Sequence, residues 1–340
     1  MNILVTGGAG YIGSHAVLHL LGKGHAVTVF DDLSRGNPEA VASLEELGTV
    51  GLIRGDLNDQ RLLTQTMREH AIDTVMHFAA LAYVGESVEQ PLRYYRANAS
   101  GTLALLEAVD TCQVPRFIFS SSCAVYGVPD QQHVPINEHC PQRPINPYGR
   151  SKQMGEDLLF DYAAKRQQTG EDFACAALRY FNVAGADQAG RLGEDHKPET
   201  HLVPICLEAA LSQRDGVVIY GTDYPTPDGT CIRDYVHVDD LAAAHITVMN
   251  ALTPGDQRAY NIGIGTGYSV RQVIDACRRV TGIDFPVTEG APRPGDPPVL
   301  YNDPTKIQVE LGWSAKFTDL TDIIETAWQW KRTHPHGYTG

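Results

Sequence analysis

The first half of the chain alternates short apolar runs with longer amphipathic stretches. The runs Asn2–Thr6, Ala26–Asp31, Val50–Arg54, Thr74–Phe78, Phe117–Ser120 and Ala174–Tyr180 predict strands. The stretches 12–22, 59–70, 92–112 and 148–168 between them predict helices. Such alternation is the sequence form of a parallel sheet covered by helices on both faces. Runs such as TVMHFAA and FIFSSS are continuously apolar or small, as doubly covered strands should be. The expected fold class is α/β, a doubly wound parallel sheet with a smaller mixed α/β C-terminal lobe.

The texture changes after about Gly185, where Gly, Pro, Asp and Thr cluster in YGTDYPTPDGT and EGAPRPGDPP and mark loops. Helical patterns recur near 201–213, 239–252, 270–281 and 319–331. RDYVHVDDLAAAHITVM reads as a return to the first domain. The expected division is residues 1–184 with a returning segment near 234–264, against 185–233 and 265–340.

Charge narrows the partners. The 340 residues carry a net charge of −14, which argues against a nucleic-acid or anionic-membrane partner, since both require a basic face. A diphosphate substrate would need a few specific arginines to hold it against that field. No apolar run approaches the roughly 18–20 residues that cross a bilayer. The opening MNILVTGG is a buried-strand pattern rather than a signal peptide, so a cytoplasmic location is expected. The seven cysteines are scattered, odd in number and never spaced C-x-x-C, which argues against a disulfide framework and a structural zinc site. His19, His25, His70, His77 and His133 show no metal-ligand spacing, and no metal is expected.

The first strand runs into GGAGYIG, which places Gly7, Gly10 and Gly13 in G-x-x-G-x-x-G spacing, with Tyr11 and Ile12 inside it. Glycine permits the tight turn and close approach to a pyrophosphate, and the next helix offers its free N–H groups to that anion. Asp31, ending the second strand, stands where a carboxylate binds the adenosine ribose. A carboxylate there accepts from a 2′-hydroxyl and repels a 2′-phosphate, which favours NAD over NADP in a Rossmann-type domain. Arg35 could soften that preference, although a solvated loop arginine is the simpler reading. Asp56, followed by Leu57 after the third strand, is either a second cofactor contact or a helix cap.

The chemical signal is PINPYGRSKQMGEDLL. Asn146 and Pro147 suit the N-cap and first positions of a helix, which sets Tyr148 and Lys152 one turn apart on one face. A phenol, with a reference pKa of about 10, is a poor base unless a neighbouring ammonium favours the phenolate. Y-x-x-x-K alone is a weak pattern. It gains weight from FIFSSSCAVYG, where Ser120, Ser121 and Ser122 end a strand at the sheet edge that binds ligands in such folds. Tyr126 is a rival phenol without a lysine one turn on, and reads as packing.

The strings VTGGAGYIGSH, HFAALAYVGESV, FIFSSSCAVYG, NPYGRSK, LRYFNVAGA, GTDYPTPDGTCIRDYVHVDDLA, YNIGIGTGYSV and HPHGY carry a resemblance over nearly the whole chain. They are similar to the UDP-glucose (UDP-galactose) 4-epimerases of the extended short-chain dehydrogenase/reductase family. The resemblance implies that Tyr148 takes the proton of the sugar 4-hydroxyl while hydride passes from C4 to tightly held NAD. The 4-keto sugar then turns over and takes the hydride back on its other face. It further implies that Lys152 binds the nicotinamide ribose and that Ser122 bonds the reacting oxygen. Phe78, Ala79, Asn98 and Tyr180 would line the cofactor. Arg233 and Arg293 would clamp the diphosphate, and guanidinium suits that task because its planar fork bonds phosphate oxygens bidentately. Asn182, His201, Leu202, Asp296 and Leu300 would contact the rest of the UDP-sugar. A homodimer built on the helices near 92–112 and 148–168 is also implied.

Two departures bear on the sugar. Ala82, followed by Tyr83, replaces a lysine common after FAAL and resembles the AYVGES string of UDP-arabinose 4-epimerases. Leu300 is intermediate between the bulky residue of hexose-only enzymes and the small one that accepts N-acetylhexosamines. UDP-glucose and UDP-galactose are therefore expected first, with UDP-arabinose/UDP-xylose or UDP-N-acetylglucosamine 4-epimerisation as alternatives. A 4,6-dehydratase would need an acidic pair where Cys123 and Ala124 stand. A non-catalytic NAD(H)-binding regulator would be expected to lack the tyrosine or the lysine. An ordinary oxidoreductase would release NADH.

Overall fold

The computed structural model describes residues 1–293 and 296–339; Pro294 and Gly295, inside the PRPGD string, lie outside them. In chain order the elements begin β1 (Asn2–Thr6), α1 (Tyr11–Leu21), β2 (Ala26–Asp31), α2 (Pro38–Ala42), β3 (Val50–Arg54), α3 (Gln60–Glu69) and β4 (Thr74–His77). They continue α4 (Val84–Glu89), α5 (Pro91–Tyr94), α6 (Gly101–Cys112), β5 (Arg116–Ser122), α7 (Pro147–Gln168) and β6 (Ala174–Tyr180). Then come β7 (Asn182–Ala184), α8 (Leu202–Ala210), β8 (Val217–Tyr220), β9 (Ile232–His237), α9 (Val238–Ala251) and β10 (Gln257–Ile262). The last are β11 (Gly267–Ser269), α10 (Val270–Thr281), β12 (Val287–Gly290), β13 (Val299–Leu300), α11 (Thr305–Leu311) and α12 (Leu320–Thr333).

Seven strands form one sheet in the order β10-β6-β5-β4-β1-β2-β3. The pairs β5-β4, β4-β1, β1-β2 and β2-β3 are parallel. Chain order reverses between β1 and β4, and in open sheets of this kind ligands bind beyond the strand ends at that switch point. β1 and β4 are mostly apolar inside, with Ile3, Leu4, Val5, Val75 and Met76 fully buried, as suits strands covered on both faces, and the buried His77 that ends β4 is satisfied by Thr6 and Thr102.

Two differences from the expected elements bear on the site, besides β5 running from Arg116 to Ser122 and α8 ending at Ala210. β4 stops at His77 because the amides of Phe78 and Ala79 both donate to the Thr6 carbonyl, which draws the chain off its strand path over the end of β1. The single helix expected over 92–112 is interrupted by a π-helical turn at Tyr95–Ser100. That turn carries Asn98, whose buried side chain bonds Leu81 and Ser151 outside the helix.

The chain divides into two compact units, 1–127 with 142–179 and 242–260, and 128–141 with 180–241 and 261–340. The edges differ from the sequence expectation of 184 and 234–264. β7 and β9 pair with each other in the second unit, so Asn182–Ala184 and the Asp234–His237 part of β9 leave the first. In the second unit β9 also pairs β11 antiparallel and β13 parallel, and β8 pairs β12. Its core gathers Cys206, Leu207, Val273, Cys277, Ile323 and Ile324 from α8, α10 and α12.

Candidate active site

The glycine loop is held by its own backbone. Gly7 takes a φ of +72°, its amide donates to the Phe30 carbonyl, and the Gly10 amide donates back to the Gly7 carbonyl. A Cβ at Gly7 would lie 2.5 Å from the Ala79 nitrogen, and one at Gly13 would lie 2.1 Å from the Gly7 carbonyl oxygen. Neither position admits a side chain, so β1, the turn and α1 stay in close contact. Gly10 is the N-cap of α1 without a capping side chain, which leaves first-turn amides for an anion. Tyr11 and Gly13 are buried in that turn and Ile12 is half-buried.

Asp31 closes the cradle. Its carboxylate accepts from the Ala9 amide at 3.0 Å, inside the loop, and from the Leu33 amide at 2.9 Å. Burial pushes its pKa up, against those two bonds. The loop and this oriented carboxylate fit the pyrophosphate and ribose of a dinucleotide. Arg35 is not the solvated arginine expected. It pairs with Glu86 at 2.7 Å and lies 4.6 Å over the Tyr83 ring, and that commitment weakens its claim on a 2′-phosphate. Asp56 accepts from the Asn58 amide and side chain, closing a turn, and is exposed. It is not the helix cap, because Asp59 is: its side chain accepts from Leu62 N. Leu57 beside it belongs to the core.

α7 starts as its sequence dictates. The Asn146 side chain accepts from the Gly149 amide at 2.8 Å, Pro147 occupies the first turn, and Tyr148 follows. Tyr148 is buried with Leu81 and Tyr94. Asn98 ties Leu81 to this helix by bonding its amide and carbonyl and the Ser151 hydroxyl, which in turn donates to the Tyr148 carbonyl. Asn98 therefore spends both its N–H groups within the protein. One turn beyond Tyr148, the buried Lys152 ammonium donates to the Ser120 carbonyl at 2.7 Å and lies 5.1 Å over the Phe119 ring. Burial brings Lys152 down to about 7, with the Glu156 carboxylate pulling the other way. Ser122 ends β5, is buried, and its hydroxyl accepts from the Ala124 amide at 3.2 Å. Tyr126 is buried and its hydroxyl accepts from Arg179 at 2.9 Å. Tyr180 is the last residue of β6.

In the second unit, β9 carries Arg233 opposite Leu300 of β13, and Asn182 of β7 faces Tyr235 in register. Arg233 meets one Asp296 oxygen at 2.8 Å and Arg293 meets the other at 3.1 Å. Arg293 also lies 5.1 Å over the Tyr220 ring. Two guanidinium groups thus converge on one carboxylate, an arrangement suited to a multiply charged anion. Asp234, which sequence reading passed over, is fully buried and accepts from the amides of Ile264, Gly265 and Asn302. It pins the ends of β10 and β13 beside Arg233. Only pairing between distant strands brings those amides together, so no local signal marks it.

A second group was also missed. His201 is the N-cap of α8 and Leu202 its first residue. The His201 Nδ1 lies 2.8 Å from Glu194 and 3.1 Å from Glu199, and the His196 Nδ1 lies 3.0 Å from Glu194. The ligand atoms of these four residues lie within 4.8 Å of one another, a spacing that a metal ion could also use. Two protonated imidazoles balance two carboxylates without one. Burial would depress the imidazoles, but the glutamates outweigh it and push His196 up to about 9 and His201 up to about 10. Glu199 is held well below the usual carboxylate range: burial would raise it, and the bonds to His196 and His201 win.

Because the folded imidazoles sit above their unfolded value, the stability they add is complete below about pH 6.5 and is lost as pH rises through 9 to 10. Lys152, depressed on folding, acts in the opposite sense. The diagnostic quantity is therefore the difference in Tm between the protein and its His196→Gln variant. That difference should shrink steadily between pH 6.5 and 10 and is measured by scanning calorimetry. The His201 side chain is 39% exposed, so solvent screening makes its share the smaller.

The profile of the NAD dependent epimerase/dehydratase family matches residues 3–263. A probable UDP-arabinose 4-epimerase 3 of Oryza sativa subsp. japonica is 48% identical over 99% of this chain and 84% of its own. A UDP-glucose 4-epimerase of Halalkalibacterium halodurans is 47% identical over 100% of this chain and 98% of its own. The crystal structure of the UDP-glucose 4-epimerase of Bifidobacterium longum, in complex with NAD+ and UDP, superposes with a TM-score of 0.94 at 39% identity, covering 99% of this chain and 100% of that one. With its glycine loop, its Tyr148–Lys152 helix and a full-length match to such enzymes, this chain belongs to the NAD-dependent epimerase/dehydratase family.

Proposed function

We propose that this chain is a UDP-glucose 4-epimerase that interconverts UDP-galactose and UDP-glucose with tightly bound NAD. The observation that carries the reading is Lys152: a buried ammonium anchored on β5, one turn from Tyr148, on the strand that ends in Ser122. In this reading Tyr148 is the base that takes the 4-hydroxyl proton and later returns it. Lys152 supplies the positive charge that favours its phenolate. Ser122 donates to the reacting oxygen and orients it. NAD, when bound, supplies a reversible hydride acceptor for sugar C4. The first unit holds the dinucleotide through Gly7, Gly10, Gly13 and Asp31, with Phe78, Ala79 and Asn98 as lining, and Tyr180 of the second unit is the remaining cofactor-side residue of this reading. The second holds the UDP-sugar through Arg233 and Arg293, with Asn182, His201, Leu202, Asp296 and Leu300 around it.

A pentose reading has its own support. Ala82 and Tyr83 stand in the AYVGES string, and the rice relative is named for UDP-arabinose. Leu300 is buried opposite Arg233, which leaves less room for an N-acetyl group than a small residue would. Incubation with UDP-galactose, UDP-xylose and UDP-N-acetylglucosamine separately, without added NAD, tests these readings. UDP-galactose should turn over fastest and the N-acetyl sugar poorly. Faster conversion of UDP-xylose would shift the assignment to the pentose, and comparable turnover of UDP-N-acetylglucosamine would contradict the role of Leu300.

No helix among the described residues is long and apolar enough to cross a membrane. The reading includes a cytoplasmic location and a homodimer. Exposed Leu103 on α6 and exposed Met154 on α7 support the dimer, since large apolar groups on adjacent helices favour a partner. Sedimentation equilibrium should give twice the chain mass.

A further inference from the structure

α7 presents a third polar group, a carboxylate, in line with Tyr148 and Lys152. Tyr148, Lys152 and Glu156 are spaced i, i+4 and i+8 and lie on one face. Glu156 is 1% exposed, and every close partner it has belongs to the frame around the Tyr–Lys pair. Arg179 of β6 grips both carboxylate oxygens, with Nη2 at 2.6 Å and Nε at 2.9 and 3.2 Å. Gln142 donates at 2.9 Å, and the fully buried Ser121 hydroxyl donates to the other oxygen. Ser121 stands between the two residues of β5 that matter to the chemistry. The Ser120 carbonyl anchors Lys152, and Ser122 carries the catalytic hydroxyl of the reading above. Arg179 is fixed in turn by the Tyr126 hydroxyl and lies 5.3 Å over its ring.

We propose that Glu156 is a positioning residue for proton transfer: locked by Arg179 and Gln142, its carboxylate holds Ser121, and through it the Ser120 carbonyl under Lys152 and the Ser122 hydroxyl, in one rigid frame. This rests on the assignment of Tyr148 as base. Glu156 works at a distance from the sugar and does not touch it. Its charge has a second consequence, because it is the carboxylate that faces Lys152 along α7. The other groups around that ammonium are Tyr148 on the same helix, the Phe119 ring on β5 and His77 on β4, which burial, with a smaller push from Lys152, drives down to about 3 and so keeps neutral.

Glu156→Gln keeps the shape and removes the charge. On the purified holoenzyme kcat for UDP-galactose should fall about tenfold or more while KM changes little, as expected when a frame loosens by a fraction of an ångström. The high-pH limb of kcat should move to lower pH, because Lys152 loses the charge that keeps it protonated. Glu156→Gln also strands Arg179, so folding is checked with the double variant Glu156→Gln/Arg179→Gln, which removes the pair together. The double variant should recover Tm but neither kcat nor the pH limb. A readout that needs no turnover separates this proposal from the assignment it rests on. The phenol absorbance at 295 nm, taken as the difference between each protein and its Tyr148→Phe counterpart, reports the Tyr148 midpoint, which should rise in Glu156→Gln. An unchanged midpoint with an unchanged pH limb overturns the role of Glu156, as does a double variant that regains full kcat. A displaced midpoint in a protein that fails to convert any UDP-sugar would uphold the positioning role and instead sink the epimerase assignment.

Discussion

Tyr148→Phe should lower kcat by about a thousandfold or more and leave the fold intact. Positioned acid–base groups contribute about 10²–10⁴ to rate, and in the proposed reaction one phenol serves both directions. The phenyl ring that remains still packs on Leu81 and Tyr94, so the burial that holds the start of α7 is preserved. The Asn146 cap, the Asn98 bonds and the Lys152 anchor use other atoms and are untouched. NAD content of the purified variant, measured after acid release, should match that of the parent protein. Steady-state conversion of UDP-galactose measures the loss. A variant within about tenfold of the parent would move the proton elsewhere, with Tyr126 the less able candidate because its hydroxyl is already bonded to Arg179.

Arg233→Ala should raise KM for UDP-galactose, and Kd for UDP alone, by about a hundredfold, with a smaller change in kcat. The arginine side chain is 12% exposed and shares Asp296 with Arg293. Its removal would leave that carboxylate facing the diphosphate of the proposed complex with one cation fewer, in a chain whose net charge is already −14. Losing a desolvated charge-assisted contact of this kind costs about 2–5 kcal/mol, and about 2.8 kcal/mol corresponds to a hundredfold. Arg293 is 64% exposed, so Arg293→Ala should cost less. Arg233→Lys should recover only part of the loss, since an ammonium cannot offer the planar fork. Calorimetric titration with UDP checks all three variants.

Local sequence carried much of this structure. β1, β2, β3 and β6 begin and end where the apolar runs do; β1, β2 and β6 are buried on both faces, and β3, at the sheet edge, is at most half-buried. The glycine loop and the start of α7 were legible because their caps, turns and one-turn spacings are set by neighbours in the chain. What escaped depends on contacts distant in sequence. The helix expected over 92–112 breaks at a π turn because Asn98 bonds Leu81 and Ser151. Arg35 leaves solvent because Glu86 and Tyr83, some fifty residues on, form a seat for it. β9 leaves the first unit because β7, β11 and β13 pair with it. Asp234 looks like an ordinary strand residue until distant strands bring its amide partners together, whereas the Glu194–His196–Glu199–His201 group is local and carries its signal in the E-x-H-x-x-E-x-H spacing.

In the proposed reaction hydride leaves sugar C4 and comes back to the same carbon while Tyr148 moves the proton. Incubation of the purified protein with UDP-galactose deuterated at C4, without added NAD, tests it most directly. The expected product is UDP-glucose that retains the deuterium at C4, with no net NADH. Deuterium lost to water, or NADH released in proportion to sugar consumed, would contradict it.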